Sequence, residues 1–201
     1  MNEYRHSHSP QGENAMTAIT VPLSIVKTRV PALVRRADVS DTDEVMQMAR
    51  EVHQEIGLFK FSESKVRSQL QMAFDRKGAV IGVIGNKGRL EGSIYLLISD
   101  FWYTEDWHLG ELWNYVRPEY RKSDNAQDLI SFSKRCADEL KLPAVLGIVS
   151  NEKTQAKVRL YERKLGTAVG AFFVYIPAGV SCRWNGYAPT QVAVEARLAA
   201  E

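Results

Sequence analysis

The stretch Trp113–Phe132, WNYVRPEYRKSDNAQDLISF, changes its hydrophobic period half-way along. Up to Val116 it reads as the end of a strand. Beyond a polar turn, Ala126, Leu129, Ile130, Ser133, Cys136, Ala137 and Leu140 recur at helical spacing, which predicts a helix over about Asp124 to Leu140. A strand running through such a turn into a helix exposes the unpaired first-turn N–H groups and the positive end of the helix dipole. That arrangement binds phosphate, and Arg117, Arg121 and Lys122 in the connecting loop would add charge to a diphosphate clamp. The same residues also suit an ordinary helix cap beside solvated cations.

Downstream, Pro143 precedes an expected strand over Val145–Val149, and a helix follows from about Thr154 to Leu165, stopped by Gly166. The run VGAFFVYIP (169–177) reads as a last strand. Upstream, AVIGVIG (79–85), the turn Asn86-Lys87-Gly88 and Leu90–Ile98 form a hairpin signal, with Leu112–Val116 as a further strand. A short strand in LVRR (33–36) precedes a helix capped from Ser40-Asp41-Thr42, with Val45, Met48, Ala49, Val52 and Ile56 on its apolar face and Gly57 at its end. A second helix is expected over about Ser62–Phe74. The order is strand, two helices, three strands, helix, strand, helix, strand: an α+β chain with one mixed, mostly antiparallel central sheet flanked by helices.

With 201 residues, the chain suits one domain with a sizeable core. The expected division is a flexible arm over 1–30 (a packed strand over Ile19–Val26 being the competing reading), a folded domain over 31–178 and a tail over 179–201. A net charge of +2 gives no reason to expect a nucleic-acid partner. The clusters around Arg117–Arg135 and Lys153–Lys164 read as solvated helix faces. Cys136 and Cys182 are too few for a disulfide framework, and four scattered histidines give no metal spacing, so no metal is expected. No apolar run approaches the roughly 18 residues of a membrane span, and the first twenty residues lack a secretory pattern. The expected compartment is the cytoplasm, with no membrane partner.

RPEYRKSDNA (117–126) resembles motif A of the GNAT superfamily of N-acetyltransferases, the acyl-CoA N-acyltransferase fold. In that motif a strand ending in valine and a Pro-Glu-Tyr-Arg turn precede the loop that holds the acyl-CoA phosphates. The family's loop runs Gln or Arg, two residues, Gly, one residue, then Gly or Ala. Here Arg121, Lys122, Ser123, Asp124, Asn125 and Ala126 stand at those positions, with Asp124 in place of glycine. A carboxylate there would repel a diphosphate unless it turned outward or capped the helix. SNEKTQAKVRLYERKLG (150–166) resembles the family's later motif, ending in Leu-Tyr-Glu-x-Leu-Gly with one extra residue, and Thr154 stands where the family has asparagine.

The resemblance, which covers about Leu33 to Pro177, implies an acetyl-CoA-dependent N-acetyltransferase needing no metal. Its acceptor would be a small-molecule or peptide amine, and a homodimer is a common state in the family. It implies that Asn114, Tyr115 and Val116 pair with the pantetheine arm, and that Arg121 through Gln127, with Thr154, complete the cofactor site. It also gives Tyr161 as general acid to the leaving sulfur and Glu111 as base, with Asp106 and His108 as weaker candidates. Tyr161 also suits a core position, and Glu111 a solvated strand start. The aromatic group Phe101, Trp102, Tyr103, Trp107 and Trp113 suits a substrate wall, core or edge cover. The alternative function is a non-catalytic acyl-CoA-binding or interaction module on the same fold.

Overall fold

The computed structural model describes residues 33–150 and 153–176. A two-residue strand, β1 (Arg35–Arg36), opens the sheet. The capping differs from the expectation at Ser40–Thr42. Asp38 caps a 3-10 turn, Val39–Asp41, and Asp41 closes a capping box by accepting from the Asp38 backbone at 2.9 Å. Asp41 is itself gripped by both guanidinium nitrogens of Arg35 at 2.7 Å, which fixes how the chain enters α1 (Thr42–Ile56). Gly57, at φ 62°, ends α1 in the left-handed conformation that a side chain resists. Ser62 caps α2 (Glu63–Phe74).

Three long antiparallel strands follow: β2 (Ala79–Asn86), β3 (Arg89–Asp100) and β4 (Trp107–Val116). A two-residue turn with Gly88 at φ 80° joins β2 to β3. β4 starts at Trp107 rather than Leu112, because its first half pairs with β3 from Asp100↔Trp107 onward. α3 (Asn125–Leu140) returns along the sheet, so that β5 (Ala144–Val145) lies parallel to β4, and α4 (Thr154–Leu165) follows. The sheet order is β1-β2-β3-β4-β5, antiparallel except at its last pair. This is the mixed, mostly antiparallel sheet expected of the sequence.

Two expected strands are corrected. β5 ends at Val145, not Val149. Val169–Ile176, within VGAFFVYIP, forms no strand, and Phe173 is 94% exposed. Apolar β-formers become a strand only where a neighbour supplies ladder hydrogen bonds, and β5 provides two residues, both paired to β4. Residues 1–32, 151–152 and 177–201 lie outside the described residues, and with them the expected arm, tail and Cys182.

The sheet has apolar cores on both faces. On one, Val45, Met48 and Leu70 from α1 and α2 pack with Ile81, Val83 and Tyr95. On the other, Leu129, Phe132 and Cys136 from α3 pack with Ile94, Leu96 and Leu109. Each fully buried aliphatic side chain contributes roughly 1.5–3 kcal/mol. α3 approaches closely because Gly82 has no side chain: a Cβ there would lie 2.7 Å from the Phe132 ring.

Candidate active site

Two irregularities in β4 create an opening. Tyr95 faces Trp113 while Leu96 faces Glu111, so Leu112 is the extra residue of a β-bulge. Side chains alternate along a strand, and three residues of separation would normally put Glu111 and Asn114 on opposite faces. The bulge puts both on the α3 face, since their partners Leu96 and Ile94 share that core. The β4–β5 ladder also ends at Gly110↔Val145, so Glu111–Val116 has no β5 partner. Among the described residues, one side of that backbone has no strand partner, which suits an extended ligand.

Tyr161 of α4 reaches across this gap. Its hydroxyl donates to Glu111 Oε1 at 3.0 Å and Oε2 at 2.9 Å. Burial pushes the Glu111 carboxyl up to about 8, against the lowering effects of the Tyr161 bond and the Lys157 charge. Burial also raises the Tyr161 phenol well above its ordinary value, helped by the Glu111 charge and hydrogen bond. A hydrogen bond from Asn114 pulls it back in part. Asn114 Oδ1 is buried and has no hydrogen-bond partner among the described residues. The two residues expected to carry chemistry thus lie in direct contact. The side chain of Asn114, expected to contribute only backbone, joins them.

The fold is similar to that of solved structures of acetyltransferases. A GNAT family acetyltransferase from Staphylococcus aureus subsp. aureus USA300_TCH1516 aligns with TM-score 0.50 and 12% identity, over 73% of this chain and 100% of that one. The chain has the GNAT fold. A ribosomal-protein-alanine N-acetyltransferase from Brucella melitensis biovar Abortus 2308 aligns at TM-score 0.55 and 17% identity over 74% of this chain and 99% of that one. AAC(6')-Iy in complex with the bisubstrate analogue CoA-S-monomethyl-acetylneamine aligns at TM-score 0.58 and 11% identity, over 72% and 97%. At these identities the likeness is one of fold. No protein-family model matches the sequence, and no curated protein matches it.

In the turn into α3, expected from the sequence to meet the acyl-CoA phosphates, the arginines are otherwise engaged. Arg121 donates to the Val116 carbonyl at 3.0 Å, pairs with Glu55 of α1, and lies over the Tyr115 ring. Arg117 bonds the Leu90 carbonyl at 2.8 Å and Glu51 at 3.1 Å, with Glu44 at 3.6 Å. Both arginines therefore tie α1 to the loop. The sequence did carry a signal for this: Glu44, Glu51 and Glu55 fall along one stripe of α1, and Arg117 and Arg121 are four residues apart.

Asp124 takes φ −90° and ψ 7°, a backbone that needs no glycine. Its carboxylate makes no side-chain cap bond and accepts instead from the Gln127 amide. Ser123 Oγ accepts from the Asn125 N–H at 3.2 Å, while Asn125 Nδ2 donates to Glu91 at 2.7 Å. Ala126 is half-buried and Lys122 exposed. Thr154 opens α4 and donates to the Ser150 carbonyl at 2.9 Å. The open β4 edge and the orphaned Asn114 oxygen fit an amide-bearing arm such as pantetheine. Among the described residues, no three His, Cys, Asp or Glu side chains are grouped to hold a metal ion. No described helix is long and apolar enough to cross a membrane.

Proposed function

We propose that the protein is an N-acetyltransferase that moves an acetyl group from acetyl-CoA to an amine by direct attack. The observation carrying this reading is the Tyr161–Glu111 contact beside the part of β4 that β5 leaves unpaired. A buried carboxyl held near 8 suits a base operating close to neutral pH, and a phenol raised in pKa keeps its proton until a thiolate needs it. The likeness to acetyltransferase structures supports the same class of reaction.

Acetyl-CoA, as co-substrate, supplies the thioester acyl group. The edge of β4 over Asn114–Val116 holds and orients the pantetheine arm, and a strand N–H near Val116 polarises the acyl oxygen. Lys122 and the first turn of α3, over Ser123–Gln127, face the diphosphate, with Thr154 at the start of α4 as a further contact. Glu111 takes a proton from the amine as the nitrogen–carbon bond forms. Tyr161 gives its proton to the sulfur as the carbon–sulfur bond breaks. Glu111 then returns a proton to the phenol across the bond at 2.9–3.0 Å, restoring both groups. The reaction belongs to the cytoplasm on this reading, with a small-molecule or peptide amine as acceptor.

The test is a thermal shift with acetyl-CoA, followed by thiol release against a panel of amines. Stabilisation is expected by mass action. No shift at millimolar acetyl-CoA overturns the proposal. A shift without thiol release from any amine leaves the alternative of a non-catalytic acyl-CoA-binding module.

A further inference from the structure

Asn114 stands where core packing alone would favour an apolar side chain. On the α3 face of β4 its neighbours include Leu109 and Val116, both buried, and across the sheet it pairs with the fully buried Ile94. Tyr161 uses its proton on Glu111, so its bond with Asn114 can run only one way. The Asn114 amide Nδ2 donates, and the phenol oxygen accepts. That assigns the two ends of the amide. Oδ1 lies at the other end, buried and without a hydrogen-bond partner among the described residues. An unpaired buried carbonyl costs free energy, and leucine, close to asparagine in shape, would remove that cost. The amide thus lowers stability, and Tyr161 is the partner it serves.

The three side chains form a line of hydrogen bonds with a single direction, from the Asn114 amide to the phenol to the Glu111 carboxylate. Donation into the phenol oxygen polarises the O–H bond and strengthens its own donation to Glu111. It also prepares that oxygen to lose its proton, because an aimed N–H dipole stabilises a phenolate that apolar neighbours would not. Burial and the Glu111 charge both oppose ionisation of Tyr161, and the Asn114 bond offsets them in part.

We infer that Asn114 is a positioning residue for the acid: its side-chain amide holds the Tyr161 oxygen and stabilises the phenolate left when the proton moves to sulfur. In that step the phenol O–H bond breaks as the S–H bond forms. Negative charge passes from sulfur to the phenol oxygen, where the Asn114 N–H meets it. The proton that Glu111 took from the amine then restores the phenol. This role rests on the acetyl-transfer reading; the line of hydrogen bonds from Asn114 to Glu111 does not.

The test places Asn114→Leu, which keeps the bulk and removes the N–H, in the parent and in Tyr161→Phe. Asn114→Val, a second strand-compatible variant, serves if the leucine form does not fold. The titratable and charged groups that act on Glu111 are Tyr161 and Lys157, both of α4. Without ligand, the loss of melting temperature through about pH 8 reports the Glu111 carboxyl. Asn114→Leu should move that loss to higher pH, because a weaker phenol donor favours the ionised carboxylate less. At pH 5 its melting temperature should equal or exceed the parent's. Added to Tyr161→Phe, the same substitution should move the loss much less. In turnover with acetyl-CoA and the fastest amine of the panel, Asn114→Leu should lower kcat about tenfold or more, the scale of one hydrogen bond to a charged group. KM for acetyl-CoA should change little, and adding the substitution to Tyr161→Phe should lower kcat no further. Equal pH shifts in both backgrounds, no shift in either, or an undiminished kcat overturns the role. A pH shift that requires Tyr161, with no thiol release by the parent from any amine, upholds the line of hydrogen bonds and removes the acetyl-transfer reading instead.

Discussion

The hydroxyl of Tyr161 donates to both carboxylate oxygens of Glu111, fifty residues earlier in the chain. One residue comes from a helix and the other from a bulged strand, and the pair meets just beyond the point where the β4–β5 ladder ends at Val145. The acid and base of the proposed reaction are therefore coupled, and changing either alters the other.

Tyr161→Phe removes the proton donor and keeps the ring. Turnover is expected to fall about 100-fold or more, the usual span for losing a positioned acid. Acetyl-CoA should still raise the melting temperature of the variant. Parallel thiol-release and thermal-shift measurements check this, and an equal loss of both would assign the phenol to binding.

Glu111 acts as a base only when ionised, so kcat/KM should rise with pH through about 8. Glu111→Gln should abolish that limb of the profile. Stability carries the opposite sign. The folded-state pKa lies above the unfolded value of 4.5, so the folded protein retains a proton that the unfolded chain has lost. The contribution is present below about 4.5 and is lost as pH rises through about 8. Melting curves at pH 5 and pH 9 should show Glu111→Gln gaining on the parent at the higher pH.

Arg117→Ala should lower unfolding free energy by about 2 kcal/mol, because it strands the half-buried Glu51 and the Leu90 carbonyl. Urea denaturation measures this. A change below about 0.5 kcal/mol would class the pair with ordinary surface ion pairs.

Gly82→Ala would place a methyl group 2.7 Å from the Phe132 ring and 3.1 Å from Ile94. Overpacking at this contact is expected to cost about 1–3 kcal/mol, again read by denaturation. Gly88→Ala meets nothing within 4 Å but forces a side chain to φ 80°, so strain alone should make its cost smaller than that of a clash.

Elements whose period and punctuation agreed were legible in the sequence. α2 and α4 fall within a residue or so of expectation, and Gly88 marks the hairpin turn. Tyr161 and Glu111 were named as separate candidates, and their contact is visible only in the fold. The strand over Val169–Ile176 was misread because apolarity records what a segment could bury, while a ladder needs a partner that composition cannot name. The ties from Arg117 and Arg121 to α1 were missed for a related reason. Their partners lie 66 residues away for both Glu51 and Glu55, and loop cations look alike whether they face a phosphate or a glutamate.

The extra residue at Leu112 inverts the parity of β4 at its midpoint. Positions that regular pleating would send to opposite sides converge on one phenol, so an odd spacing, Glu-x-x-Asn, does the work usually sought at even spacing. A pattern search built on strand alternation would pass over this pair, and an engineer who straightened the strand by substitution alone would turn one of them away from the other.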